Sequence, residues 1–147
     1  MEPIRLGTAP LDDDALVEAF ESCQLPASDF HHADHVRLAW IYLGRESKPA
    51  AAERFEQSLQ RFAAHYGVSE KYHRTMTLAW ICLVAAARCA TPEACTFEAF
   101  AERNSELFDQ KLLNRYYTPE RLASCEARAR WVIPDLLDLP PGRDSAA

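Results

Sequence analysis

The sequence predicts an all-α fold: a four-helix bundle core from two related helical hairpins, plus an N-terminal helix and a C-terminal helical cap. Three observations predict it. Apolar residues recur at intervals of three and four, the helical period. Only four glycines occur in 147 residues, and β-branched runs are absent, which leaves little for strands. Finally, two blocks repeat in the same order. Leu38-Ala39-Trp40-Ile41-Tyr42-Leu43 matches Leu78-Ala79-Trp80-Ile81-Cys82-Leu83 at an offset of 40, and Phe55-Glu56 with Arg61 matches Phe97-Glu98 with Arg103 at an offset of 42. Chance similarity among common helix formers competes with duplication as the explanation.

The elements follow in chain order. A first helix is predicted from about Asp12 to Cys23, with three aspartates at the dipole-positive end and Leu16, Ala19, Phe20 and Cys23 as its inner stripe. A second starts near Ser28 or Asp29, carries His32, His35, Val36, Ala39, Trp40 and Leu43 on its inner face, and stops at Gly44. Ser47-Lys48-Pro49 opens a third, striped by Phe55, Leu59, Phe62 and Tyr66 and closed by Gly67. Ser69 caps a fourth that runs to about Arg88. It is apolar on most sides from Met76 to Ala87 and should be the most buried. Thr96 begins a broken stretch through Phe97, Phe100 and Leu107. Leu112, Leu113, Tyr116 and Tyr117 belong to another short helix, and Thr118 and Ser124 mark two further starts. One domain results: residues 1–10 as an N-terminal extension, 11–133 as the helical body and 134–147 as an extended, proline-rich tail.

Composition bounds the function classes. At this size a single core buries roughly 70% of the unfolded surface, so no metal or disulfide staple is needed for folding. Hydrophobic residues make up 48% and charged residues 26%, which argues against disorder. The net charge of −6 is concentrated in residues 1–29, which hold seven acids and one base. Elsewhere fifteen bases balance fifteen acids. That balance argues against general nucleic-acid binding. The start has no basic segment leading into an apolar run, and the longest apolar run, Leu78 to Ala87, is half the length of a membrane span. A soluble, cytoplasmic protein with no membrane partner is expected. Five cysteines without a Cys-x-x-Cys pair suit neither a disulfide framework nor a zinc ribbon, and Cys82 and Cys89 are expected as small core residues on one helix face.

The histidines carry the functional expectation. In an up-down-up-down bundle, His31, His32 and His35 in the first turns of helix two, His73 at the start of helix four and His65 at the end of helix three all fall at one end. His32 and His35 are three apart and continue an inward stripe, so with His73 they form the trio expected to converge on one cavity. Imidazole nitrogens suit zinc, iron or copper, and three protein ligands with an open fourth position is a catalytic-metal arrangement. Asp34 and Glu70 are the nearby carboxylates: a fourth ligand, an orienting partner, or, in an enzyme, the proton acceptor beside a metal that acts as Lewis acid or activates water or dioxygen. Two helix N-termini keep the rings neutral, as metal binding needs.

Two rivals stand beside that reading. The histidines can be satisfied core groups, capping backbone or bonding Tyr72 and Thr77. Alternatively, two adjacent helix N-termini make a metal-free site for a small anionic ligand, lined by Tyr72, Thr77, Arg74, His31 and His65, with Arg37, Arg74 or Arg103 holding the charge. A further alternative is a non-enzymatic interaction or scaffold module. In it the acidic first helix docks on the basic segment 111–130 (Lys111, Arg115, Arg121, Arg128, Arg130), within the chain or in a homodimer. Arg128 and Trp131, three apart, suit guanidinium-on-indole stacking. Trp40 and Trp80 read as core anchors.

Phe30-His31-His32-Ala33-Asp34-His35-Val36, Lys71-Tyr72-His73-Arg74-Thr75, Tyr116-Tyr117-Thr118, Leu122-Ala123-Ser124 with Ala127-Arg128, and Trp131-Val132-Ile133-Pro134-Asp135-Leu136 together resemble a bacterial family of small, all-helical hypothetical proteins. The resemblance spans about residues 28–140. It implies that His32, His35, Tyr72-His73 and the Ser124-to-Arg128 segment are the family's central positions, and it implies no activity or cofactor.

Overall fold

The computed structural model describes residues 5–6 and 9–141, with side chains over 11–141. The remaining parts of the expected extension and tail (1–4, 7–8 and 142–147) lie outside the described residues. Among the described residues, the only strands are β1 (Arg5–Leu6) and β2 (Ala9–Pro10), a two-residue antiparallel pair, and all other regular elements are helical. The helices are α1 (Asp13–Glu21), α2 (His32–Arg45), α3 (Lys48–His65), α4 (Arg74–Ala90), α5 (Phe97–Arg103), α6 (Pro119–Leu122) and α7 (Cys125–Ala129). Short 3-10 turns join them at Ala27–Asp29, Ser69–Lys71, Ser105–Phe108 and Gln110–Arg115.

Local chemistry explains most boundaries. Asp12 caps α1 by accepting from the Ala15 N–H at 2.8 Å, and Ser47, Thr96, Thr118 and Ser124 cap α3, α5, α6 and α7 through their hydroxyls. Gly67 ends the α3 corner at φ +70°, where a Cβ would be strained. Two starts lie later than predicted. The segment around Ser28 forms a 3-10 turn, and α2 begins only at His32. Ser69 likewise opens a 3-10 turn, and His73 caps α4 in its place. Nor does Gly44 stop α2. It sits inside the last turn, where a Cβ would lie 3.0 Å from Arg88 Nη2, the movable end of that side chain. Arg88 itself donates to the Trp40 carbonyl at 3.1 Å and lies 4.9 Å over the Trp40 ring.

The long helices α2, α3 and α4 pack on one another, α1 lies on α3 and α2, and α7 lies on α4. Phe20, Tyr42, Phe55, Phe100 and Tyr117 are fully buried in the shared core, and Trp40 and Trp80 are buried anchors. After α4 the stretch from Thr96 is broken, as its sequence suggests: α5 has seven residues and passes into two 3-10 turns. Of the paired cysteines, Cys82 is half-buried and Cys89 exposed, so they do not share a core position as expected.

The acidic helix does not dock on segment 111–130 within the chain. Its carboxylates meet arginines of α2 and α3: Asp13 with Arg37 at 2.8 Å, Asp14 with Arg45 at 2.6 Å, and Glu21 with Arg54 at 2.8 Å. Arg54 and the Tyr42 hydroxyl hold the Glu21 carboxyl below its ordinary range, against the burial that would raise it. The basic segment instead ties the C-terminus to the start of α4. Thr75 Oγ1 donates to the Arg130 carbonyl at 2.8 Å and accepts from the Val132 N–H at 3.1 Å. Arg128 donates to the Glu70 carbonyl at 3.0 Å rather than stacking on Trp131, which meets Tyr117 edge-on. The tail continues along the surface through Leu136, whose N–H donates to the Tyr116 carbonyl at 3.0 Å. Ile133, Leu136 and Leu137 of this segment are exposed. No helix among the described residues is long and apolar enough to cross a membrane.

Candidate functional site

The N-terminal ends of α2 and α4 and the C-terminal turns of α3 border one cavity of about 870 Å³. Volumes of this order hold small organic molecules. His32, His35 and His73 all line it, together with His31, Tyr72 and Thr77. The three histidines placed by helical spacing therefore reach a common wall. His65 and Arg74 do not line it. His65 is exposed and packs edge-on against Tyr66, while Arg74 reaches Glu56 at 3.0 Å.

The three rings differ in what their nitrogens do. His73 is fully used by the fold. Its Nδ1 accepts from the Met76 N–H at 3.1 Å, which makes Nε2 the protonated nitrogen, and Nε2 donates to the Leu122 carbonyl at 2.6 Å. No lone pair remains on it for an ion. His32 donates from Nε2 to the Leu107 carbonyl at 2.9 Å, which leaves the Nδ1 lone pair. Its ring lies edge-on to Trp80 at 4.5 Å. Burial lowers its pKa, partly offset by the Leu107 bond and by Asp109.

His35 is the exception. Its ring sits among aromatics, 4.8 Å from Phe55 at 89° and 5.9 Å from Phe30, with His32 at 6.4 Å. Its Nε2 is enclosed and has no hydrogen-bond partner. Burial, with His32 as a smaller contributor, pushes its pKa down to about 3, so the ring is neutral at pH 7. Buried polar groups without partners are scarce in folded proteins, and one in a ring that borders a cavity marks a place where the fold leaves a bond unmade. A half-turn of the ring in its slot exchanges nitrogen and carbon edges without changing the space filled.

The carboxylates proposed for proton transfer are placed elsewhere. Asp34 Oδ2 accepts from the His31 N–H at 2.7 Å and so caps the start of α2. Burial raises its pKa despite that bond. Glu70 is exposed on the Ser69–Lys71 turn, and neither side chain borders the cavity. Among the described residues, no three His, Cys, Asp or Glu side chains are arranged to hold a metal ion.

Several wall residues were absent from the sequence reading of the site: Phe30, Phe62, Tyr66, Met76, Lys71 and Gln110. Phe30 and Lys71 were findable, since each lies within two residues of a histidine at a helix start. Gln110 was not, because the turn Gln110–Arg115, well beyond the end of α4, delivers it. Compared with known protein families, curated proteins and solved structures, the chain matches no family, no curated protein and no solved structure.

Proposed function

We propose that the cavity between the starts of α2 and α4 is a metal-free pocket for a small organic molecule, with His35 as the group that answers it. One observation carries this reading: a neutral imidazole on the wall of an 870 Å³ cavity, with Nε2 lacking any partner. The metal reading is weaker because His73 spends both nitrogens on the Met76 N–H and the Leu122 carbonyl. We place the pocket at one end of a bundle of two related hairpins, a reading supported by the matched blocks in α2 and α4, which both pack on α3. The resemblance to a family of helical hypothetical proteins supports the same positions and adds no chemistry.

The test is a fragment screen read on the histidine ring nitrogens by ¹⁵N NMR, with tag-free protein offered zinc, iron(II) and copper(II) in parallel. The expected result is that some fragments shift His35 and leave the His73 ring unchanged, with no metal retained in stoichiometric amount. Retention of one metal per chain, abolished in a His32→Ala, His35→Ala variant, would restore the metal reading.

A second reading, self-association, is favoured by the exposed apolar strip: Ile133 is 66%, Leu136 55% and Leu137 58% exposed. Light scattering across a hundredfold concentration range should show mass rising toward a dimer. The double variant Ile133→Asp, Leu137→Asp should hold the monomer mass throughout. A constant monomer mass for the unmodified chain removes this reading.

A further inference from the structure

Resting on that pocket reading, we infer that the ligand is a planar aromatic carboxylic acid, its ring held among Phe30, Phe62, Tyr66 and Trp80 and its carboxylate at Lys71. The walls argue for the ring. Phe30 and Phe62 lie 5.2 Å apart at 55°, and Trp80 presents its indole edge-on to His32. Surfaces of this kind favour flat, polarizable groups, which gain ring–ring contact beyond area burial.

The charges argue for the acid. No Asp or Glu side chain borders the cavity, whereas Lys71 does. The neighbouring carboxylates are committed elsewhere. Glu56 accepts from the Tyr72 hydroxyl at 2.7 Å and pairs with Arg74, and Asp34 caps α2. The positive ends of the α2 and α4 dipoles both face this end of the fold. A cationic ligand would find no counter-charge on the wall.

Position sets the orientation. Lys71 and His31 are exposed, so they stand at the mouth, while His35 is half-buried with its Nε2 enclosed. The carboxylate therefore stays near water, where its desolvation is smallest. The ring enters, and its inner edge packs on the imidazole of His35, which borders the cavity.

Calorimetric titration with 2-naphthoate, 2-naphthamide, 2-naphthylmethylamine and inorganic phosphate tests this, with the His35 ring followed by ¹⁵N NMR. Naphthoate should bind at least about tenfold more tightly than the amine and shift the His35 signals, and phosphate alone should bind weakly or not at all. Lys71→Met, an exposed position that does not endanger folding, should weaken naphthoate about threefold and leave naphthamide unchanged. Amide or amine binding as tightly as the acid, with His35 shifting, overturns the acid and leaves the pocket standing. Phosphate matching naphthoate overturns the aromatic ring. If none of the four probes moves His35, the acid inference falls. The pocket falls with it if the wider fragment screen is also silent.

Discussion

The substitution His35→Phe is expected to stabilise the ligand-free protein by about 1–2 kcal/mol while abolishing ligand binding at the cavity. The gain comes from removing a buried polar atom that nothing satisfies, a defect worth about 1–3 kcal/mol. Phenylalanine fills nearly the same slot beside Phe30 and Phe55, so little is lost in packing. Urea unfolding at pH 8 measures the difference. A loss of more than about 1 kcal/mol instead would show that the imidazole stabilises the fold, and the pocket reading would lose its main support.

The pH dependence gives the same residue a second signature. The folded pKa of His35 is about 3, against an ordinary value of 6.5. Above pH 6.5 the ring is neutral in both states, and no proton is exchanged on unfolding. As pH falls from 6.5 toward 3, the unfolded chain takes up a proton that the folded chain refuses. Stability is therefore lost across that window, with a limiting slope of about 1.4 kcal/mol per pH unit for this group. His35→Phe should flatten the slope by that share, so its advantage over the unmodified protein widens on acidification. His32, lowered by burial in the same direction, adds a smaller decline that the variant retains.

His73→Ala is expected to do the opposite, costing about 2–4 kcal/mol. The change deletes the side chain that caps α4, typically worth about 1 kcal/mol, and also the bond to the Leu122 carbonyl, of similar size. It further leaves a void where a buried ring stood. His73→Asn, which caps a helix well but is too short to replace the link to Leu122, should recover about 1 kcal/mol. Both variants can be ranked by chemical denaturation. If Asn and Ala are equally damaging, the capping role is wrong, and the weight lies on the α4–α6 link alone. The contrast between His35 and His73 is sharp because helical spacing treats them as equivalent members of one trio.

What the residues announce by themselves is mostly local. Asp12, Ser47, Thr96, Thr118 and Ser124 announce helix starts because a cap and the N–H it satisfies lie within three residues of each other. The inward placement of His32 and His35 follows from 3.6 residues per turn, and their bordering one cavity with His73 follows from antiparallel packing of successive helices. The misplaced starts at Ser28 and Ser69 have a common reason. Serine beside a turn can nucleate a 3-10 segment as well as a helix, and the true caps, His31 and His73, are uncommon in that position.

Periodicity and capping, then, were sufficient for the helical class and most of its elements. The use of each imidazole was decided in three dimensions. Leu107 lies 75 residues from His32 and Leu122 lies 49 from His73, yet their carbonyls occupy one nitrogen of each ring. His35 received no such partner because aromatic rings surround it. A hydrogen bond depends on a few tenths of an ångström between atoms far apart in the chain, and only the packed fold sets that distance.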